Sequence, residues 1–435
     1  MNKILYWSVT VALAGLLFGF DTAVISGADG PLEVLWGSFQ LSHGFVMSSA
    51  LWGTVIGALA GSYPCDYLGR RKTLIFVGVL YLVSALGSAL ATDPYTFSFF
   101  RFIGGLGVGA STIAVPAYIS EISPAKNRGR LVILYQFLLV LGILVAYLSN
   151  YLISLVEGGD WRWMLGVEAI PAFIYLVLVL RAPESPRWLL ANKGDEQASR
   201  AVMAQMGFED VDEVVAEIKQ DAQTDKQGAI FSGHYNFQIL LVFLLAFFNQ
   251  LSGINFIIYY APRVFELAGI SASSALLSSV GVGLVNLGFT MLGIYLIDKL
   301  GRRVLMFIGS IGYITSLLVV AYAFYAGLGG MVVVLFVFAF IASHAVGQGA
   351  VIWVFIAEVF PNKVRAKGQA IGCGTHWVFA ALITLLMPTM IKVFAPHVIF
   401  GFFAFMMVLQ LLYVIKLMPE TKGQSLEKLS GKLVS

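Results

Sequence analysis

The chain has 435 residues, 59% of them hydrophobic and 12% charged, with a formal net charge of +3 and a mean hydropathy of +0.85. Soluble domains carry about 25% charged residues, so this chain has too few charges to build an ordinary water-facing surface and reads as an integral membrane protein. The small net charge and the lack of a long basic run exclude a nucleic-acid partner. Cys65 and Cys373, each alone in an apolar stretch, offer neither a disulfide framework nor a zinc site.

A spanning helix needs about 20 mostly apolar residues. Twelve such spans are predicted, near 4–27, 45–65, 73–91, 97–119, 131–155, 163–182, 238–260, 274–297, 303–325, 331–357, 366–391 and 397–418. The first, after Lys3, imitates a signal peptide, but a single leader would not account for the spans that follow. With a cytoplasmic N-terminus, the outer loops hold only Arg162, Arg263 and Lys392, and Arg101 heads span 4. The inner loops and tails hold all the other basic residues. That asymmetry predicts both termini on the cytoplasmic side.

The stretch 183–237 differs from its surroundings. It is dense in charge, and patterns such as Asp212 to Ile218 suit short amphipathic helices. It separates two halves that repeat. Asp66-Tyr67-Leu68-Gly69-Arg70-Arg71 recurs in the second half as Asp298-Lys299-Leu300-Gly301-Arg302-Arg303. The motif from Glu121 to Arg128 recurs from Glu358 to Arg365, and Pro183-Glu184 recurs as Pro419-Glu420. Three unrelated patterns, offset by nearly the same length of chain, imply a duplicated six-helix unit. That is one known transporter plan, with the substrate site at mid-membrane. The expected domains are 1–182, a six-helix bundle; 183–237, a cytoplasmic helical linker; 238–418, a second bundle; and 419–435, a tail.

Buried charges need partners, and both repeats place acids and arginines at cytoplasmic span ends. Asp66, Arg70, Arg71, Glu121, Arg128, Glu184, Arg302, Arg303, Glu358 and Arg365 are therefore expected to pair across the two halves. Such a latch would close when the carrier faces outward. The alternative is that these arginines only enforce orientation.

Taken in order, the motifs resemble the sugar porter family of the major facilitator superfamily. The resemblance rests on Asp66 to Arg71, Arg101 to Gly109, Pro116-Ala117-Tyr118 with Glu121, Arg128-Gly129, and Pro183 to Trp188. It continues through Gln250-Leu251-Ser252-Gly253-Ile254-Asn255, Tyr259 to Pro262, and Pro419 to Gly423. It implies an all-α major facilitator fold of twelve transmembrane helices in two six-helix repeats, with a small cytoplasmic helical bundle, carrying a monosaccharide or polyol by alternating access.

Three charges lie within spans: Asp21, Arg101 and Glu168. Each costs about 2.5–3.5 kcal/mol on insertion scales, so each is a functional candidate. The resemblance implies proton coupling at Asp21, where facilitative members commonly carry Asn. An Arg101 that approaches and leaves Asp21 would swing its proton affinity. Glu168 matches an acidic position of proton-coupled members and would take Arg101 when Asp21 is protonated. The alternative is a permanent Asp21–Arg101 pair that only ties two spans together.

Sugars present hydroxyls, which both donate and accept, and apolar C–H faces; amides and aromatic rings suit them. Apolar helices here carry Gln136, Asn249, Gln250, Asn255, Asn286 and Trp353. The resemblance implies sugar contacts from Gln136, Gln250, Asn255, Asn286 and Trp353, with Phe18, Tyr259, Gly349 and Trp377 as lining. Buried amides also serve as interhelical hydrogen bonds. Asn249 stands where many members have the longer Gln, His376 where they have Asn or Gln, Ala380 where they have a further amide, and Ile143 where some carry a second Gln. His376 lines the pocket or titrates as a second proton site.

The expected function is proton-coupled monosaccharide symport, with a facilitative uniporter or a proton-coupled polyol or inositol carrier as alternatives. A sugar receptor would need a long signalling tail beyond Met418. A membrane enzyme or ATP-driven pump would need a nucleophile–base pair, a metal site or a phosphate loop. The expected partners are sugar, protons and lipid, with no cofactor or metal, and the carrier is expected to work as a single chain in a bacterial inner membrane.

Overall fold

A backbone that crosses hydrocarbon must satisfy its own polar groups, and long uninterrupted apolar runs can do so only as helices. The computed structural model describes residues 3–224, 230–231, 233–361 and 364–423, with side chains 125–130 and 221–224 outside that description. Twelve segments are long and apolar enough to span: Lys3–Trp36, His43–Ala60, Arg70–Leu90, Pro94–Ile122, Leu131–Ser154, Trp161–Val179, Asn236–Leu267, Ala272–Leu300, Arg302–Ala326, Gly330–Glu358, Arg365–Val393 and Pro396–Lys416. Their starts follow local signals where these exist. Asp93 caps span 4 by accepting from the backbone N–H of Tyr95 and Thr96, with Pro94 in the first turn. The Thr96 hydroxyl donates to the same carboxylate, and with those N–H groups it holds Asp93 below its ordinary range.

Three spans are broken. Span 6 consists of Trp161–Gly166 and Ala169–Val179, with Glu168 at the join. Span 7 consists of Asn236–Leu251 and Ile254–Leu267, joined at Gly253, whose φ of +86° suits glycine. Span 10 consists of Gly330–Val346 and Gln348–Glu358, joined at Gly347. The stretch between the repeats forms three short helices, Pro186–Lys193, Glu196–Met206 and Val211–Thr224. They close over a small core of Leu190, Met203, Val215 and Ile218. Glu196 binds Lys219 and Arg200 on their exposed face, and these bonds hold its carboxyl below the usual range.

Packing divides the described chain differently from the sequence repeat. One compact unit comprises Met1–Asp21, Ser49–Ile143 and Arg162–Lys226; the other comprises Thr22–Ser48, Leu144–Trp161 and Gln227–Ser435. The three short helices pack with the first unit. The C-terminal parts of spans 1 and 5 and the start of span 2 pack within the second, with the whole second repeat.

Span 1 runs on to Trp36, beyond the predicted end near residue 27 and through Pro31. Asp29 and Glu33 stand one turn apart on that extension, a like-charged spacing that opposes a helix unless cations offset it. Within the second unit, Arg263 Nε lies 2.7 Å from Asp29 Oδ2, and the same guanidinium bonds Glu33. His43 Nε2 lies 2.7 Å from Asp29 Oδ1, and Lys392 Nζ lies 2.6 Å from Glu33 Oε1. This outer cluster joins spans 1 and 2 to spans 7 and 11.

The charges of the repeated motifs are built twice on one plan. Arg70 bonds Glu121 and Asp66, and Glu184 accepts from the backbone N–H of Arg71. In the second repeat Arg302 forks onto Glu358 at 2.7 and 3.0 Å and bonds Asp298, while Glu420 accepts from the N–H of Arg302 and Arg303. Ser185 donates to Glu121 as Thr421 donates to Glu358. Arg71 and Arg303 donate to carbonyls at the ends of spans 6 and 12. In this structure each of these arginines with a described ion pair finds its acid within its own repeat, at a neighbouring span end of the same six-helix unit. Arg365 Nε and Nη2 are buried without a hydrogen-bond partner among the described residues, and the Arg128 side chain lies outside the described residues.

Two variants test this architecture. Gly69 and Gly301 carry φ of +97° and +90° with extended ψ, a region essentially reserved for glycine. A Cβ at Gly301 would lie 2.5 Å from Glu420 Oε2. Gly301→Ala is expected to destabilise the solubilised protein by about 1–3 kcal/mol, read as a lower melting temperature. Arg263→Gln leaves the Asp29 side chain, 3% exposed, without its guanidinium. It should cost about 3–5 kcal/mol, and adding Asp29→Asn should restore part of the loss in the same melting assay.

Candidate functional site

The first unit holds a charged group inside the membrane. Arg101 at the head of span 4 forms an ion pair with Asp21 through Nη1, and its Nη2 donates to the Asp21 backbone carbonyl at 3.0 Å. Asp21 is 2% exposed and Arg101 1% exposed, so each charge depends on the other. Glu168, also 2% exposed, lies within electrostatic reach of both, and its Oε1 is buried without a hydrogen-bond partner among the described residues.

Span 3 adds hydroxyls that sequence reasoning missed. Tyr81, Ser84 and Ser88 follow one another at helical spacing and are buried, and each side-chain oxygen lacks a hydrogen-bond partner among the described residues. Tyr81 is within electrostatic reach of Asp21 and Glu168. The available signal was a polar stripe at i, i+3 and i+7 in an otherwise apolar span.

The second unit gathers the amides. Asn249 and Gln250 end the first helix of span 7, and Asn255 begins the second, so the break at Gly253 brings all three together. Asn255 Nδ2 donates to Gln250 Oε1 at 2.6 Å, and Gln250 Nε2 donates to Asn249 Oδ1 at 2.9 Å. Gln250 Nε2 also lies 3.2 Å from the His376 ring nitrogens. The His376 ring stands 4.8 Å from Trp353 and 4.7 Å from Trp377, centroid to centroid. Asn249, Gln250, Asn255, Trp353, His376 and Trp377 therefore form one connected polar and aromatic group.

Among the other expected residues, Asn286, Tyr259 and Phe18 are buried. Asn286 is buried and accepts a long 3.4 Å bond from Thr290 on its own helix. Tyr259 is 1% exposed. A Cβ at Gly349 would lie 3.2 Å from the His344 carbonyl, so its lack of a side chain serves close packing. Phe18 and Gln136 belong to the first unit, where Phe18 is buried and Gln136 half-buried.

The sequence also passed over Gln348 and Gln410, each wholly buried and each bonded into the amide group. Their signal was weak, one amide apiece in spans 10 and 12. The outer acids Asp29 and Glu33 were missed because the glycines and proline around them read as a loop.

The family model described as "Sugar (and other) transporter" matches residues 7–433. The chain is 35% identical to the D-xylose-proton symporter of Escherichia coli, covering 99% of this chain and 96% of that protein. It is 34% identical to the glucose transporter GlcP of Staphylococcus epidermidis, covering 99% and 97%. Among solved structures, the partially occluded inward-open xylose transporter XylE from E. coli superposes with a TM-score of 0.87 at 33% identity, covering 98% of this chain and all of that one. A second XylE structure, bound to 6-bromo-6-deoxy-D-glucose, gives a TM-score of 0.81. A match over nearly the whole chain, to relatives covered almost end to end and sharing the fold, places this protein in the sugar transporter family of the major facilitator superfamily.

Proposed function

We propose that the chain is a proton-coupled monosaccharide symporter working by alternating access, with both termini cytoplasmic and the spans in a bacterial cell membrane. The observation that carries it is the buried Asp21–Arg101 pair with Glu168 beside it. Its relatives named for proton-coupled sugar symport, D-xylose in E. coli and arabinose in Bacillus subtilis, support the same reading.

The chemistry follows from the geometry. A proton on Asp21 removes the charge that holds Arg101, and Glu168 is the next acid within electrostatic reach. Arg101 can then exchange partners, so that proton binding alters the tie between spans 1 and 4. The sugar would occupy the amide and aromatic group, with Asn255 and Gln250 facing its hydroxyls and Trp353 and Trp377 its C–H faces. His376 stands between the two indole rings and lines the pocket. Tyr259, Asn286 and Gly349 complete the lining in this reading.

The outer cluster supplies a gate. Arg263 and Lys392 hold the outer ends of first-repeat helices to second-repeat helices through Asp29 and Glu33, so opening toward the outside would break those pairs. Proton entry contributes about 2.3 kcal/mol per 100 mV, roughly fifty-fold accumulation at about 1.4 kcal/mol per factor of ten.

Uptake of radiolabelled D-glucose, D-xylose and L-arabinose into proteoliposomes under an imposed proton gradient tests the proposal. Wild type should accumulate at least one sugar, whereas Asp21→Asn should equilibrate or exchange it without accumulation. Equilibration by wild type whatever the gradient would make the protein a uniporter, with Asp21–Arg101 as a permanent strut.

A further inference from the structure

Beyond the residues that would face the sugar, the second unit contains one continuous hydrogen-bonded chain that crosses four spans. It begins at Asn255 Nδ2 to Gln250 Oε1 and runs from Gln250 Nε2 to Asn249 Oδ1. Asn249 Nδ2 donates to Gln348 Oε1 at 3.2 Å, and Gln348 Nε2 donates to Gln410 Oε1 at 2.6 Å. Gln410 Nε2 donates to Ser310 Oγ at 2.8 Å, and Ser310 donates to the Met306 backbone carbonyl at 2.7 Å. Every side chain in it is buried; Gln250, Gln348, Gln410 and Ser310 show no exposure and Asn255 shows the most, at 7%.

The chain has a direction, and its far end sets it. A backbone carbonyl only accepts, so Ser310 donates its single proton there and its oxygen is left to accept from Gln410. Gln410 must then turn its NH₂ to Ser310 and its carbonyl to Gln348, and the same choice passes through Asn249 and Gln250 to Asn255. The relay also ties two of the broken spans together: Asn249 and Gln250 stand just before the break in span 7, and Gln348 opens the second helix of span 10. Without a fixed end, each amide could turn over, exchanging its donor and acceptor with little change in shape.

We infer that Gln348, Gln410 and Ser310 are positioning residues for sugar recognition: they set the orientation of the amide series so that Asn255 keeps its NH₂ on Gln250 and offers Oδ1 as acceptor to a sugar hydroxyl. Asn249 is then a link in the relay rather than a sugar contact. Its side chain, a methylene shorter than the Gln common at that position, still reaches the amide of Gln348. The inference rests on the sugar-site reading above and adds what fixes that site's polarity.

The test uses the full-length protein in detergent and measures binding by quenching of tryptophan fluorescence. The probes are the best-bound of D-glucose, D-xylose and L-arabinose, and its singly deoxyfluorinated analogues. Fluorine cannot donate, so at one ring position the wild type should bind the analogue at least about tenfold more weakly than the parent sugar. Ser310→Ala and Gln410→Leu should shrink that ratio to about threefold or less, whereas Ser310→Thr, which keeps the hydroxyl, should preserve it. Ser310→Ala removes only one oxygen, so the test stands even if Gln410→Leu fails to fold. Equal weakening of parent and every analogue, or an unchanged ratio in Ser310→Ala, would overturn the inference. If wild type binds none of the sugars, the underlying sugar-site reading fails first and takes the inference with it.

Discussion

The pairing of Asp21 with Arg101 constrains the first unit more than any other contact. Both side chains are almost wholly enclosed, and separating them inside the protein would leave two uncompensated charges, a penalty of several kcal/mol per ion. Spans 1 and 4 are therefore held at one distance for as long as both groups are ionised. A proton on Asp21 would remove one of the two charges and loosen that tie. Glu168 lies within electrostatic reach of both groups, and Tyr81 within reach of Asp21.

The same rule acts on neutral amides in the second unit, at lower cost per group but over a longer path. An amide buried without a partner loses about 1–3 kcal/mol. Gln250, Gln348 and Gln410 meet that demand by bonding one another and their neighbours instead of the backbone. A hydrogen bond inside a membrane protein averages only about 0.6 kcal/mol, so such a series adds little to stability. What it supplies is orientation, since every member's donor and acceptor are assigned by its neighbour.

Much of the fold was legible in the sequence. Apolar runs and the distribution of Lys and Arg gave twelve spans that the observed helices largely match, because hydrocarbon permits no other backbone. The duplicated motifs also surfaced as duplicated geometry: Glu184 and Glu420 each accept from the N-terminal turn of a span in their own repeat, and Ser185 and Thr421 make matching bonds. Pairing partners were less legible. Arg70 and Arg302 looked suited to reach across the halves, yet Glu121 and Glu358 stand beside them within each repeat, and sequence carries no distance between span ends. Span 1 was cut short because Gly27, Gly30 and Pro31 resemble a turn, whereas the ions facing Asp29 and Glu33 come from His43, Arg263 and Lys392. Gln348 and Gln410 were invisible singly, since a lone amide in an apolar span has meaning only beside the next one.

The two sets of membrane-edge charges therefore have different tasks. The inner arginines are satisfied inside their own repeats, by acids on neighbouring spans and by carbonyls at the ends of spans 6 and 12. Such clusters need not come apart when the repeats move, and they can act as rigid ends for the six-helix units. The outer cluster is the opposite case, because Arg263 and Lys392 of the second repeat hold Asp29 and Glu33 of the first. Any motion that separates the repeats on that side must break the enclosed Arg263–Asp29 pair, whose side chains are 16% and 3% exposed, whereas Lys392 in its pair with Glu33 is 64% exposed and adds far less.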